Sequence, residues 1–271
     1  MPTAWIRRHE RFDELDSTST HLARIWREGT LPPDETPVLV TTQRQTAGRG
    51  RGDNRWFSDS GSLTFTLGLR PAEFGLGLAE LVPIGLLTAC SLIESIEKQF
   101  PPLLGQVGIR WPNDIECDAG KIGGILPEYI HGPDHQPLLL IGIGINVATD
   151  LSAGPADARR IGIALADLLP PHAHRPDAAE TLLTSFLVAF PKSLKRLADP
   201  DSGWIAEARR HDRLAGTAIS ARQGEDLIRG QAQGWDEYGR LIVARESGGT
   251  VLVSSGQILR GPSQSLSTGL N

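Results

Sequence analysis

Apolar positions recur at two spacings along the chain, and the spacing separates predicted strands from predicted helices. Residues 62–69 (SLTFTLGL) alternate, with the leucines and a phenylalanine on one face, which predicts a half-buried strand. Residues 36–43 (TPVLVTTQ) are rich in β-branched side chains and predict a further strand. Residues 78–100 repeat apolar side chains at helical spacing, with Pro83 near the start, where a helix tolerates proline best. This stretch predicts a buried helix.

The middle of the chain mixes both patterns. QVGIRWPND predicts a strand that runs into a turn, and KIGGILPEYI and QPLLLIGIGINVA predict two more strands on either side of the turn HGPDH. The last of these is apolar almost throughout, as a central strand is. DAAETLLTSFLVAFPKSLKRL predicts a helix with Asp177 as its N-cap. Strands and helices do not alternate strictly, so the predicted class is α+β with a mixed or antiparallel sheet.

The pattern changes at about Ala215. GTAISAR, EDLIRGQAQGWD, GRLIVARE and GTVLVSSGQIL predict short strands separated by turns that contain glycine, and no helical spacing follows. Short strands of this kind are typical of a small all-β barrel. The last residues, rich in serine and glycine, predict a mobile tail. We therefore predict a main domain over 1–213, a β domain over 214–262 and a tail over 263–271.

Composition and charge narrow the function. The chain has 271 residues, 39% hydrophobic and 22% charged, which is typical of a soluble globular protein. Its net charge of −5 argues against a dedicated nucleic-acid binder, so any basic region must be local. Cys90 and Cys117 form no CxxC pair, which predicts neither a disulfide nor a thiol metal site, and a cytoplasmic location. No signal-peptide core or membrane-spanning apolar window is present, so no membrane association is expected.

The segment AGRGRGDNRW concentrates positive charge. Residues 44–55 contain four arginines and one aspartate. Arginine presents planar forks that suit carboxylate and phosphate oxygens, and glycine lets the backbone approach a ligand. Three interpretations remain open from the segment alone: a solvated loop, a loop that binds phosphate or carboxylate, and a nucleic-acid arm. Its brevity counts against the third.

Three other segments carry polar groups near predicted strand ends. In RWPNDIECDAGKIGGILPE, Lys121 precedes a glycine pair that leaves room for an anion, although an ordinary hairpin with an exposed lysine fits equally well. IGIGINV lacks the third glycine of a dinucleotide fingerprint, since Val147 takes that place, and is better interpreted as a central strand that ends at Asn146. Ser17 to Ser19 are suited to cap a helix, to bind a polar ligand, or to do both.

The order of these motifs decides more than any one of them. Ser-Thr, QTAGRGRG…RWF, WPND…KIGGIL, GIGIN and a β-rich end follow one another as in the biotin protein ligases, the biotin–[acetyl-CoA-carboxylase] ligases, which the chain resembles from about Leu15 to Arg260. The resemblance implies a mixed-sheet α+β catalytic domain flanked by helices, then an SH3-like barrel. It also implies that MgATP and biotin give biotinyl-5′-AMP, from which biotin passes to a lysine of the biotin carboxyl carrier domain of acetyl-CoA carboxylase.

The resemblance assigns roles to individual positions. Lys121, Arg51 and Asp114 match catalytic positions, and Asp114 is also the candidate Mg²⁺ ligand or the residue that orients the amine. The positions that match biotin contacts are Ser17, Thr18, Gln45, Gly48, Arg49, Arg51, Lys121, Gly124 and Gly142. The positions that match ATP contacts are Arg51, Arg55, Trp56, Asn113, Lys121 and Asn146.

Two departures and two rival interpretations complete the expectations. Asn54 stands where many relatives have an arginine that binds ATP phosphates, and Arg55 is the candidate replacement; Ser19 stands where asparagine is usual. Few residues precede the Ser-Thr motif, so we expect a monofunctional ligase that binds no DNA and represses no gene, as a monomer or a homodimer. The rivals are a lipoate ligase or lipoyl/octanoyl transferase, which the GRGR loop and β-rich end disfavour, and an RNA-binding module, which the acidic charge disfavours.

Overall fold

The protein is described from a computed structural model, which defines residues 4–77 and 83–259. The predicted tail over 263–271, and the first part of the helix predicted from residue 78, lie outside these described residues.

A seven-stranded mixed sheet organises the larger part of the chain. The strands lie in the order β1-β2-β3-β7-β6-β5-β4; β1 and β2 are parallel and all other neighbours are antiparallel. The predicted α+β class is therefore confirmed. β1 was not predicted from the sequence, because RHERFDEL carries charges at most positions. The strands are β1 (Arg8–Leu15), β2 (Val38–Gln45), β3 (Ser62–Leu69), β4 (Gly108–Arg110), β5 (Asp114–Cys117), β6 (Gly120–His131) and β7 (Pro137–Asn146).

Helices cover both faces of this sheet. The first helix, α1 (Thr18–Arg27), packs on the face that carries Thr64 and Thr66 of β3. The opposite face packs against α4 (Ala178–Leu197), where the rings of Phe65 and Phe186 lie 5.7 Å apart. The prediction that β3 is half-buried was wrong, since all eight of its residues are buried. Alternation detected the apolar face of β3, but the polar face is buried as well.

The remaining helices support the core. The helix α2 (Ile84–Gln99) packs along α4, and the hydroxyls of Ser91 and Ser193 hydrogen-bond at 2.8 Å. Asp177 is the N-cap residue of α4 as predicted, but its carboxylate accepts from Arg175 and Thr181 and not from the helix backbone. Two short helices, α3 (Ala156–Ile161) and α5 (Trp204–Ala208), lie between the long elements. Among the described helices, none is long and apolar enough to cross a bilayer.

The end of the chain forms a second sheet. Its five antiparallel strands lie in the order β11-β10-β9-β8-β12, which confirms the predicted all-β region; the boundary between residues 213 and 214 stays a proposal. Trp111 Nε1 donates to the carbonyl of Gly239 at 3.0 Å and links the two sheets. The strands are β8 (Ala218–Gln223), β9 (Asp226–Trp235), β10 (Leu241–Arg245), β11 (Thr250–Val253) and β12 (Gln257–Ile258).

Candidate active site

A cavity of about 480 Å³ opens on the face of the large sheet that α1 covers. The start of α1, the arginine–glycine loop over 45–56, the strands β5 to β7, α3 and β12 all contribute to its wall. Of the residues assigned from the sequence, those on the wall are Ser17, Thr18, Gln45, Arg49, Arg51, Arg55, Trp56, Asn113, Asp114, Lys121, Gly124 and Gly142.

Glycines form the floor of the cavity. Across four neighbouring strands, Thr64, Gly144, Gly124 and Asp114 stand opposite one another in register, and in such a row side chains share one face. A Cβ on Gly144 would lie 2.3 Å from Cε2 of Trp56, so the indole rests directly on the strand backbone. A side chain at either glycine would fill the space above the sheet, and its absence keeps the floor open.

One end of the cavity is neutral and polar. Gln45 Oε1 accepts from the backbone N–H of Thr18 at 2.8 Å and from its hydroxyl at 3.2 Å. The hydroxyl of Thr66 bridges those of Thr18 and Ser19, at 2.8 and 2.9 Å. Ser17 caps α1 by accepting from the backbone N–H of Thr20 at 3.4 Å, and it also lines the cavity. Ser17 therefore both caps the helix and faces the cavity.

The other end is charged. Lys121 Nζ lies 2.7 Å from Asp114 Oδ1 and 5.7 Å from the centroid of the Trp56 ring. Arg51 donates to the carbonyl of Gly256 at 2.7 Å, which ties the loop to the turn before β12. Burial lowers the pKa of Arg51 from its usual value, and the negative charge of Asp114 opposes that shift. The charged groups thus lie where an anion would be held between two strands and a loop.

The arginine–glycine loop is folded on itself. The backbone N–H of Trp56 donates to the carbonyl of Gly48 at 3.0 Å, and Gly50 donates to Asn54 at 2.8 Å. Arg49 binds Glu128 of β6 through two hydrogen bonds of 3.0 and 2.6 Å. Arg55 makes no side-chain hydrogen bond or ion pair with any described residue, so no described side chain neutralises its charge.

Gly48 and Asn146 were assigned to ligand contacts, but the structure places them behind the wall. Asn146 donates through Nδ2 to the carbonyls of Lys121 and Ile163, each at 3.3 Å, while its buried Oδ1 has no partner. A Cβ on Gly48 would lie 2.3 Å from the carbonyl oxygen of Trp56. In this structure both residues support groups that do line the cavity, and their assigned contacts stay predictions.

Other residues on the wall were not assigned from the sequence. The Thr64 hydroxyl and Trp56 Nε1 are both buried without a hydrogen-bond partner among the described residues, so both are available to a ligand. The alternation in β3 predicts that Thr64 lies on a face exposed to water, so the sequence did not point to it as a site residue. Among the unassigned wall residues, Ser19 and Arg110 lie inside the motifs. Others lie outside them, such as Thr64, Arg160, Gln257, Ile258 and Leu259.

The wall has few ligands for a resident metal. Asp114 is its one acidic residue, and that carboxylate already faces Lys121. Within residues 4–77 and 83–259, no group of three or more His, Cys, Asp or Glu side chains is placed to hold an ion. Magnesium in nucleotide sites is commonly held by one or two carboxylates together with substrate phosphates, and this donor set fits that arrangement.

Comparisons with known proteins identify the family. A model of the "Biotin/lipoate A/B protein ligase family" matches residues 11–146, a range that contains every residue assigned to the site. The chain belongs to this family. A biotin–[acetyl-CoA-carboxylase] ligase of Paracoccus denitrificans is 29% identical over 215 residues, which are 79% of this chain and 86% of the relative. One of Mycobacterium tuberculosis with the same description is 25% identical over 256 residues, 92% and 88% of the two chains.

The fold agrees with that of solved relatives. A biotin protein ligase from Aquifex aeolicus, solved in complex with biotin and ATP, superposes with a TM-score of 0.73 at 25% identity, over 93% of this chain and 97% of the other. These relatives and structural neighbours are biotin–protein ligases, which are adenylate-forming enzymes. The resemblance stated from the sequence is thereby confirmed, and the RNA-binding module loses its support.

Proposed function

We propose that the protein joins biotin to ATP as biotinyl-5′-AMP and then transfers biotin to a lysine of a biotin carboxyl carrier domain. The observation that carries this proposal is the polarity of the cavity. Ser17, Thr18 and Gln45 form a neutral hydrogen-bonding end, and the rest of the wall carries six cationic side chains and one carboxylate. Such a cavity suits an acid with a neutral polar head, joined through its carboxylate to a nucleotide.

The neutral end is arranged for a ureido ring. That ring offers one carbonyl acceptor and two N–H donors, and hydroxyls can serve both kinds of group. Thr18 and Gln45 already hold each other at 2.8 and 3.2 Å, so their positions are fixed before the ligand arrives. Prearranged groups lose less conformational entropy on binding, which supports their role in selecting the ring.

The first half-reaction needs charge neutralisation and not a general base. The carboxylate of biotin is already ionised at neutral pH, and its oxygen forms a bond to the α-phosphorus while the bond to the bridging oxygen of pyrophosphate breaks. The obstacle is the approach of one anion to another. Lys121 and Arg51 would offset this repulsion by holding both anions at the charged end.

The second half-reaction needs a protected intermediate. The mixed anhydride is hydrolysed by water, so the loop over 45–56, tied to the turn before β12 by Arg51, would shield it. A lysine amine of the carrier then attacks the acyl carbon and AMP leaves. Asp114 is the carboxylate in place to orient that amine once Lys121 turns toward phosphate.

Magnesium and the nucleotide complete the proposal. When bound, Mg²⁺ would neutralise phosphate charge; Asp114 is the protein group available to it. Trp56 offers an aromatic surface and an N–H that has no partner among the described residues. Arg55 offers a guanidinium that pairs with no described side chain. Asn113 lies on the wall with Nδ2 donating to the carbonyl of Ile125 at 2.6 Å, so its side-chain oxygen remains for the nucleotide.

Exchange of labelled pyrophosphate into ATP tests the activity. Biotin should support exchange by the wild-type protein and lipoate should not. The same preparation, given ATP and a carrier domain, should add one biotinyl group to the carrier, measured by mass spectrometry. Exchange with lipoate but not with biotin would make lipoate the substrate. Exchange with neither acid would refute the proposed ligase activity.

The cellular setting also belongs to the proposal. The carrier of acetyl-CoA carboxylase is the expected partner, because that enzyme is named in the description of the Paracoccus relative. We further propose a cytoplasmic protein without repressor activity, as a monomer or a homodimer. Specific retention of a palindromic operator in a gel-shift assay would contradict the absence of repression, and light scattering would give the oligomeric state.

A further inference from the structure

The charges on the cavity wall are unequally neutralised. Four of the six cations face a carboxylate, and in three of these pairs both side chains are less than half exposed: Arg49 binds Glu128, Lys121 binds Asp114 at 2.7 Å, and Arg110 lies 3.6 Å from Glu116. The other three cations are Arg51, Arg55 and Arg160.

These three arginines differ in what holds them. Arg51 donates to a backbone carbonyl, which leaves its charge in place. Arg55 has no side-chain partner among the described residues. Arg160 contacts Asp157 at 3.4 Å, but the two side chains are 65% and 86% exposed, so water screens this ion pair and it is weak. An anion in the cavity would therefore meet two guanidinium groups that lose little when they turn toward it.

The position of Arg160 is coupled to that of Lys121. The backbone N–H of Ile163 donates to the carbonyl of Lys121 at 3.0 Å, and Gly162 forms a parallel bridge with Lys121. Asn146 Nδ2 donates both to the carbonyl of Lys121 and to the carbonyl of Ile163. The end of α3 is thus fastened to the strand that carries the lysine, and Arg160 precedes that fastening by two residues.

The chain also lacks a cation that its relatives are expected to have. Asn54 occupies the place at which the sequence resemblance implies an arginine for ATP phosphates. In the structure the Asn54 side chain donates to the carbonyl of Arg51 at 2.9 Å, so it serves the loop. A nucleotide that brings a triphosphate would require another cation at this end of the cavity.

We infer that Arg160, together with Arg55, binds the β- and γ-phosphates of ATP and holds the pyrophosphate as it leaves. The inference rests on the proposed function and assigns a site within it. Guanidinium groups form paired charge-assisted hydrogen bonds to phosphate oxygens, which suits both residues. Arg160 would supply from α3 the charge that Asn54 does not supply from the loop.

The test compares the two half-reactions in the full-length protein. Arg160→Ala should raise the KM for pyrophosphate and for ATP in the exchange reaction by about ten-fold, since it removes a charged hydrogen-bond donor. The KM for biotin should stay within about two-fold. Transfer to the carrier from added biotinyl-5′-AMP should also be unchanged, because pyrophosphate is absent from that step. A merely structural role would impair both half-reactions.

Three companion variants sharpen the result. Arg159→Ala removes the same charge from the neighbouring position, whose side chain donates to Gly154 at 2.7 Å and does not line the cavity; its KM values should match the wild type. Arg160→Lys should recover part of the affinity for pyrophosphate. Asp157→Asn frees Arg160 and should leave the pyrophosphate KM unchanged or lower it.

Two outcomes overturn the inference. One is an Arg160→Ala protein with normal KM values for ATP and pyrophosphate; the other is an equal rise in Arg159→Ala. Either result leaves the proposed function intact if the wild type still exchanges pyrophosphate in the presence of biotin. Failure of the wild type itself would remove the proposed function, so the two failures are distinguishable.

Discussion

The ion pair of Lys121 and Asp114 is proposed to serve the chemistry more than the stability of the fold. Their side chains keep 20% and 25% exposure, and such partly solvated pairs contribute little to folding. The pair instead places an ammonium group on the glycine floor beside Trp56. Its position on the wall matters more than its strength.

The variant Lys121→Ala should therefore lose adenylation while it keeps the fold. We expect pyrophosphate exchange to fall by about 100-fold or more, as when a prearranged electrostatic contact to a reacting group is removed. The midpoint of thermal unfolding should move by only about 2–4 °C. Turnover near that of the wild type would refute the role of Lys121, and a collapsed unfolding transition would make the loss a folding effect.

Gly144 tests the floor of the cavity. A Cβ there would lie 2.3 Å from the indole of Trp56, so Gly144→Ala should displace the ring and raise the KM for ATP by about ten-fold. Gly85→Ala is the matched control, because the nearest atoms to its added Cβ lie at 3.6 and 3.7 Å and the site is in α2. That control should be neutral or more stable by up to about 1 kcal/mol. Steady-state kinetics measures the KM of each variant, and urea unfolding measures its stability.

Residues in dense motifs could be assigned from the sequence, and scattered residues could not. Arg51 and Lys121 stand in motifs that alone also fit a solvated loop or a hairpin, and the order of those motifs along the chain assigned them. Arg160 stands in a stretch without a motif, and its helix is brought to the cavity by long-range contacts of the residues that follow it, among them the hydrogen bond between Ile163 and Lys121. Asn146 was expected to contact the nucleotide because of the family resemblance; its Nδ2 donates to two backbone carbonyls, and the nucleotide contact stays a prediction.

Among the elements, β1 is the one that hydrophobic patterning missed most clearly. It lies at the sheet edge and pairs only with β2, so charged side chains are tolerated there and discourage pairing with other chains. A hydrogen bond connects β1 to α1, because Glu10 of β1 accepts from His21 of α1 at 2.6 Å. Glu10 also accepts from Arg8 of its own strand. Long-range pairing of this kind leaves no local trace in the sequence.

Glu10 should make the stability of this corner depend on pH. Desolvation acts to raise the pKa of its carboxyl, but hydrogen bonds from His21 and Arg8 outweigh that and lower it. A lowered pKa contributes stability above the unfolded value of 4.5, and the contribution is lost as the pH falls through the folded value. Glu10→Gln should thus be less stable by about 1–2 kcal/mol at pH 7.

The difference between Glu10→Gln and wild type should shrink as urea unfolding is repeated from pH 5 down to about pH 3. Glu14→Gln is the control, since Glu14 forms an exposed pair with Arg44 and should change stability little at any pH. A difference that stays constant across the acid range would mean that packing, and not the ionised carboxylate, is responsible.

At the scale of the whole molecule, the two sheets meet at the cavity. Arg51 reaches the carbonyl of Gly256, and Gln257, Ile258 and Leu259 complete the wall. The α+β class and the second sheet were predictable, because their strands are regular and locally marked by glycine turns. That the second sheet closes the site was not predictable, since the deciding contact joins residues 205 positions apart.

Arg51→Ala should loosen this closure. We expect biotinyl-5′-AMP to form more slowly or to leave faster, and amide hydrogens of β12 to exchange faster with solvent, because the link from loop to turn is lost. Hydrogen-exchange mass spectrometry and the half-life of the bound intermediate measure the two effects. Arg44→Ala, at an exposed position before the loop, should change neither. Unchanged exchange and an unchanged half-life would contradict the link.

The excess of cations on the wall has a kinetic consequence in a protein of net charge −5. Most of the surface repels a polyanion in solution, while the cavity attracts it, so electrostatic steering directs encounters toward the mouth of the site. The association rate constant of ATP, measured by stopped flow, should fall steeply as salt rises above about 0.1 M, where the screening length is about 10 Å. Biotin, with a single charge, should show a much weaker dependence. The same unbalanced arginines that hold phosphate would thus also set how quickly the enzyme captures it.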